Sequence, residues 1–407
     1  MKIGVWLNKD HNPTDGGSFS FLDKLIKSID EYHFSSKLEV VFISESDKYK
    51  GFSKEIIYLK YPKCKLSLLK KIHLRFSSIH KRIIISGKIQ KKNDDLKLYY
   101  YSSILKKHNV DLIYYPRQCN CEIENYPFVA TNWDIGHLST YSFPEFDKDY
   151  DLVKRNEWFN KLIYKALYVF CESDSGRNEL MKFTRLDESR LKVVPIFAGS
   201  CTSIQVSYEE QERILNNYNL SKEYFFFYPA QFWAHKNHFG LLQAFRLFVL
   251  DHPGYKLVFT GSDKGNRKYI ESVTQDLGIS DMVLFPGLVE IEVLNTFYRN
   301  CVALIMPTFL GPTNLPLLEA LDLQCPVLCS DIPGHREIMS SGAVYFNPLD
   351  HFSILSAMEY IINKINRTDL YNQSEVVRKK NKFNIENALK SIEENFLILE
   401  NIRKNWE

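Results

Sequence analysis

Residues 301–338 read CVALIMPTFLGPTNLPLLEALDLQCPVLCSDIPGHREI, and the reading of this stretch decides the fold. The unbroken apolar run at 302–306 has the length and composition of a strand buried on both faces. It breaks into a loop carrying Pro307, Gly311 and Pro312. Asn314 suits a helix N-cap, and Pro316 falls in the first turn, where a missing N–H removes no bond. Leu315, Leu318 and Leu321 then recur at helical spacing, with Glu319 in the second turn. A second strand at 326–330 leads through Asp331, Pro333 and Gly334 to a second helix expected to start at Glu337. Two strand–loop–helix units in succession direct their loops and helix N-termini to one edge of a sheet. That edge is where doubly wound α/β domains bind ligands, and helix N-termini suit phosphate. Glu319 offers two oxygens that can accept both hydroxyls of a ribose; the competing reading is an early-helix acid favoured by the dipole alone.

A chain of 407 residues exceeds one ordinary core and implies two domains. The 45% hydrophobic and 25% charged composition is that of a globular protein, and a net charge of +3 lacks the excess expected of a nucleic-acid binder. Eight scattered cysteines, with no secretory signal ahead of them, fit free thiols in a cytoplasmic protein. Neither Cys119 with Cys121 nor Cys325 with Cys329 has the partner pair that a zinc site needs. No apolar run approaches the roughly 18 residues of a membrane span.

In chain order, 2–7 reads as a strand, and Gly16 and Gly17 precede a helix with Phe21, Leu22, Leu25, Ile26 and Ile29 on one face. Residues 60–92, opened by Lys60 and closed by Lys92, hold eleven Lys or Arg, no Asp or Glu, and interleaved isoleucines and leucines. The stretch reads either as a solvated basic face or as a patch for an anionic membrane surface. Past a strand at 127–131 come Asp134 and His137, a spacing that taken alone is more often a turn with a hydrogen-bonded histidine. The acidic run at 147–151 reads as a charged helix start, and no metal is expected there. After a strand at 224–228, Lys236 stands at the head of a helix bearing Leu241, Phe245 and Phe248. A lysine beside a helix N-terminus opposes the dipole, and a bound diphosphate resolves the conflict. The tail from 384 to 402 is a periodic helix with Ile385, Leu389, Ile392, Phe396 and Leu399.

The segment GPTNLPLLEA resembles the donor-binding loop of the retaining glycosyltransferases of family 4, whose motif E-G-F-G-L-P-x-x-E-A carries two glutamates. Glu319 matches the second, and Gly311 stands in place of the first. The family's paired arginine and lysine correspond to Gln231 and Lys236, so one cation is replaced by an amide. The resemblance implies the GT-B fold, an α/β arrangement of two Rossmann-like doubly wound domains facing a cleft. Residues 1–197 would form the acceptor-side domain, joined by the returning helix at 384–407. Residues 198–222 would be a linker, and 223–383 the nucleotide-sugar domain. It further implies that Gly16, Gly17, Thr313, Asn314 and Leu315 approach the donor phosphates, that Glu319 holds the ribose, and that Leu288 and Val289 meet the base. Asp134, His137 and a following Pro-Glu pair would line the cleft, with His137 beside the reacting sugar.

The implied reaction is metal-independent transfer of a sugar, mannose- or rhamnose-like, from a nucleotide-diphosphate donor to a saccharide or lipid-linked saccharide hydroxyl, with retention. The setting would be bacterial surface-polysaccharide synthesis, in the cytoplasm or peripheral on the inner face of the plasma membrane. Two alternatives share the fold. A nucleotide-sugar 2-epimerase would need neither acceptor nor basic patch. A non-catalytic binding subunit would accommodate Gly311 and Gln231 as lost donor contacts.

Overall fold

The computed structural model describes residues 1–9, 12, 16–61, 95–119, 121–140, 143–147 and 151–405. The basic stretch at 60–92 lies, apart from Lys60 and Tyr61, outside the described residues, as does the middle of the acidic run at 147–151.

Two all-parallel sheets form. The first has the order β3-β2-β1-β4-β5-β6-β7, made of β1 (Lys2–Leu7), β2 (Glu39–Ser44), β3 (Ile56–Tyr58), β4 (Leu112–Tyr114), β5 (Phe128–Asn132), β6 (Val169–Cys171) and β7 (Leu191–Val193). The second has the order β10-β9-β8-β11-β12-β13, made of β8 (Phe225–Pro229), β9 (Lys256–Thr260), β10 (Val283–Gly287), β11 (Ala303–Met306), β12 (Val327–Ser330) and β13 (Val344–Phe346). Strand order reverses beside β1 and again beside β8, so each sheet has a switch point where the loops diverge and leave a crevice.

Period-two alternation sorts the side chains of β1. Ile3, Val5 and Leu7 face one core, and Trp6 faces the other with Val41 and Ile43. Helix α1 (Gly17–Glu31) covers the first face with Phe21, Leu22, Leu25, Ile26 and Ile29. That core continues through Ile196, Phe197, Ala198 and Cys201 into the core of the second half. At the far end of β6, helix α2 (Asp174–Phe183) is capped by Ser173.

The segment read as a linker carries one α-helix. Helix α3 (Tyr208–Asn217) buries Ile214 and Leu215, and Gln211 Oε1 accepts from Asn300 Nδ2 at 2.9 Å. Helix α4 (His238–Asp251) follows β8, α5 (Ile291–Asn300) follows β10, and α6 (Leu315–Asp322) follows β11. Helix α7 (Pro333–Met339) starts four residues before the Glu337 expected from sequence, because Pro333 takes the first-turn position. Glu337 instead lies inside α7 and reaches the other half, accepting from Asp174 N at 3.0 Å and Ser175 N at 2.7 Å at the head of α2. Strands β3 and β13, at the sheet edges, have no counterpart in the sequence reading.

Helix α8 (Ile385–Arg403) crosses back to the first sheet. Ser391 Oγ donates to Val193 O at 2.7 Å, and Arg403 pairs with Asp111 at 2.6 Å. Phe396, fully buried, packs 5.9 Å from Tyr114 and 6.0 Å from Phe170, ring centre to ring centre. Among the described residues no helix is long and apolar enough to cross a membrane. Phe396→Ala is expected to destabilise the protein by about 3–5 kcal/mol in urea titration, the range for an aromatic removed from a filled core. A change below about 1 kcal/mol would mean that the returning helix is only loosely docked.

Candidate active site

Loops from the C-terminal edges of both sheets enclose a cavity of about 440 Å³. Its walls carry Gly17, Ser18 and Phe21 from α1, Trp133 and Asp134 after β5, Gln231, Trp233, His235 and Lys236 after β8, and residues 310–316 after β11.

The two second-half loops are tied to each other. Asn237, in the left-handed region at φ 56°, caps α4 by accepting from Gly240 N, and its amide nitrogen donates to Pro307 O at 3.1 Å. Phe309 N donates to His235 O at 3.0 Å. Lys236 is thereby held facing Asn314, whose Oδ1 accepts from its Nζ at 3.0 Å. Asn314 occupies the N-cap position of α6 but does not cap; its side chain is spent on Lys236 and on His335 Nε2, 3.0 Å away. Gly311 has φ 116°, a conformation L side chains rarely adopt, so the loop is built for glycine where the resembling family has its first glutamate. Gly334 makes room for the same loop, since a Cβ there would lie 1.3 Å from Pro312 O.

From the first half, Asp134 Oδ1 accepts from Gly136 N and from Arg155 Nη1, both at 3.0 Å. Burial acts to raise this carboxyl, but the Arg155 charge and the Gly136 amide outweigh it and hold it below the usual carboxylate range. Glu145 reaches across the cleft to His235, accepting from its backbone N at 3.1 Å and meeting Nδ1 at 2.5 Å. Burial pushes the His235 ring down despite the carboxylate, so a neutral imidazole donating Nδ1–H to an ionised Glu145 describes the pair.

The structure gathers Gly17, Asp134, Gln231, Lys236, Gly311, Thr313, Asn314 and Leu315 around one cavity. Gly16 lies at its rim, where a Cβ would come within 3.0 Å of Gln231 Nε2. Gln231 Oε1 accepts from Trp233 Nε1 at 2.9 Å. Other sequence candidates fall elsewhere. His137 does not line the cavity: it packs against the rings of Phe159, at 5.0 Å, and Phe146, at 6.3 Å. Leu288 and Val289 follow β10 outside the cavity, and Leu288 is exposed. Glu319 is buried beneath the site, where its Oε2 accepts from Tyr298 OH at 2.7 Å and its carboxylate also takes the Gly199 amide. Sequence reading missed Arg155, Trp133, Trp233 and His235. Arg155 sits in an ordinary charged helix, and nothing in its spacing points to Asp134. The tryptophans at a strand end and a loop were the available signal for an aromatic-walled pocket.

Residues 210–376 match the family described as Glycosyl transferases group 1. Within the second half, that stretch is similar to group 1 glycosyltransferase domains. The O-antigen chain mannosyltransferase RfbU of Salmonella typhimurium is 28% identical over 199 residues, covering 49% of this chain and 52% of the relative. The O-antigen chain mannosyltransferase B of Escherichia coli is 23% identical over 214 residues, covering 52% and 56%. The chain thus spans about half the length of the curated relatives it matches. Among solved structures, Anabaena HepE in complex with UDP-glucose superposes with a TM-score of 0.68 at 15% identity, covering 97% of this chain and 99% of that one. A glycosyltransferase from Rickettsia africae gives 0.67 at 14% identity, covering 99% of both. The two sheets and the cleft between them make up a GT-B fold.

Burial lowers the Lys236 ammonium to about 8, with Asp134 and Glu145 pulling the other way. Between about 8 and its ordinary value of 10.5 the folded state therefore binds fewer protons than the unfolded state. Stability contributed by this group rises with pH through that window, and at pH 7 the charged lysine opposes folding. Lys236→Met is accordingly expected to raise the melting temperature at pH 7 by about 2–4 °C and to flatten its pH dependence between about 8 and 10. A lower melting temperature at pH 7 would show that Asp134 and Glu145 stabilise the ammonium by more than burial penalises it.

Proposed function

We propose that the chain is a retaining, metal-independent glycosyltransferase that moves a mannose- or rhamnose-like sugar from a nucleotide-diphosphate donor to a saccharide or lipid-linked hydroxyl. The observation that carries this is the placement of Lys236: a partly buried ammonium at the switch point of the second sheet, lining a cavity whose opposite wall belongs to the first. A cation held there costs folding energy, and a ligand diphosphate is the group that would recover it. In the reaction, the bond from the anomeric carbon to the donor phosphate oxygen breaks and a bond to the acceptor oxygen forms. The acceptor proton passes to the departing phosphate. Lys236 stabilises the charge gathering on that leaving group, and Gly17, close against Leu315, faces it from the first half. Asp134, kept ionised, is the group placed to bind a sugar hydroxyl, a role that the position of His137 does not favour. The ribose role of Glu319 requires its carboxylate, now engaged by Tyr298 OH and the Gly199 amide of the connecting segment, to turn toward the cavity.

The names of the curated relatives favour surface-polysaccharide synthesis as the setting. Residues 60–92 suit docking on the anionic inner face of the plasma membrane, and exposed Leu96 and Tyr99 follow directly.

Calorimetric titration with UDP, GDP, ADP and CMP tests the donor site. One nucleoside diphosphate is expected to bind, about tenfold or more weaker for Lys236→Met and for Glu319→Ala. If none binds, Gln231 and Gly311 mark a scaffold that has lost the donor, and the non-catalytic reading leads. For the membrane, replacing four basic residues of 60–92 by Gln should abolish cosedimentation with vesicles containing anionic lipid; unchanged cosedimentation would sink the docking role.

A further inference from the structure

His335 is fully buried in α7, and it touches neither the cavity nor solvent. Its Nδ1 lies 2.9 Å from Ser330 O at the end of β12, and its Nε2 lies 3.0 Å from Asn314 Nδ2. Asn314 Oδ1 in turn accepts from Lys236 Nζ at 3.0 Å. The two ends of this chain have fixed polarity, because an ammonium only donates and a backbone carbonyl only accepts. Every bond between them is then determined. Lys236 donates to Asn314, the Asn314 amide donates to Nε2, and Nδ1–H donates to Ser330 O. The reversed imidazole tautomer would set a lone pair against the Ser330 carbonyl. It would also turn the Asn314 amide nitrogen toward the ammonium, leaving buried groups unmatched.

We infer that His335 is a positioning residue: by accepting from Asn314 it fixes which atom the amide turns to Lys236, and so holds the ammonium at its place in the cavity. That this place serves a diphosphate rests on the function proposed above. The forfeited helix cap is an independent sign, since an Asn at the N-cap ordinarily bonds the amides ahead of it and this one does not. Burial keeps the His335 ring neutral, at about 3, so the arrangement persists across the working pH range. The other titratable groups acting on Lys236 are Asp134 and Glu145 from the first half and His235 and His238 from its own segment, with Arg155 behind Asp134.

The first measurement is nitrogen-15 NMR of histidine in the unmodified protein. His335 is expected as the Nδ1–H tautomer with a bare Nε2, unchanged from pH 5 to about 9. The second is titration of the Lys236 side-chain signal by NMR, assigned by its loss in Lys236→Arg, in the unmodified protein, His335→Leu and His335→Gln. His335→Leu removes the acceptor, and the Lys236 titration should move down by about one pH unit. UDP, GDP or ADP affinity should fall about tenfold with it. His335→Gln, which can keep an acceptor facing Asn314, should restore both. An Nε2–H tautomer or a protonated ring in the unmodified protein overturns the assignment, whether or not His335→Leu folds. So does an unchanged Lys236 titration in folded His335→Leu. If the titration moves as expected while none of UDP, GDP and ADP binds the unmodified protein, the positioning role stands and the diphosphate reading falls.

Discussion

A partly buried ammonium is the constraint on which the site depends. Lys236 is partly buried at the edge of the second sheet, and that burial favours the neutral amine. What holds the charge is distributed over both halves: Asn314 accepts one of its hydrogens, while Asp134 and Glu145 act on it from across the cleft. Those two carboxylates are themselves managed, one by Arg155 and the other by His235. The cleft is thus an electrostatic unit and not simply a gap between two domains. Its parts come from four strand ends that the chain visits far apart in sequence.

Backbone geometry supplies the rest. The loop carrying Gly311 and Pro312 lies so close to α7 that only glycine fits at 334. Asn237, at positive φ, ties the β8 loop to the β11 loop through Pro307 O. These contacts, with Tyr228 OH of β8 donating to Lys236 O at 2.8 Å, fix the relative placement of Lys236 and Asn314. Between the halves, Glu337 takes the free amides at the head of α2, using the unsatisfied donors of one domain's helix as the other domain's docking point.

Much of this architecture was readable because it is written in local patterns. The apolar run before Pro307, the Pro316 helix start and the leucines behind it locate β11 and α6 without any tertiary information. Lys236 was legible as an electrostatic conflict at a helix head. What escaped was whatever depends on where a side chain turns after the fold is made. Asn314 has the identity and position of a cap, yet serves two distant partners. Glu319 sits at the expected helix turn, yet faces Tyr298 and Gly199 and not the cavity. His137 follows Asp134 by three residues, but only Asp134 reaches the cleft, because aromatic rings at 146 and 159 claim the imidazole. Arg155 had no signal at all, since a basic residue in a charged helix is the commonest of surface patterns.

The returning helix α8 sets an order of assembly. Phe396 fills a place between Tyr114 and Phe170 in the first half's core, but it leaves the ribosome after every residue of the second half. The second sheet therefore has all its strands in hand while the first sheet still lacks part of its covering layer. Until the last turns of α8 emerge, that apolar face of β4 and β6 is open to other contacts. The half of the molecule that begins first is the one completed last.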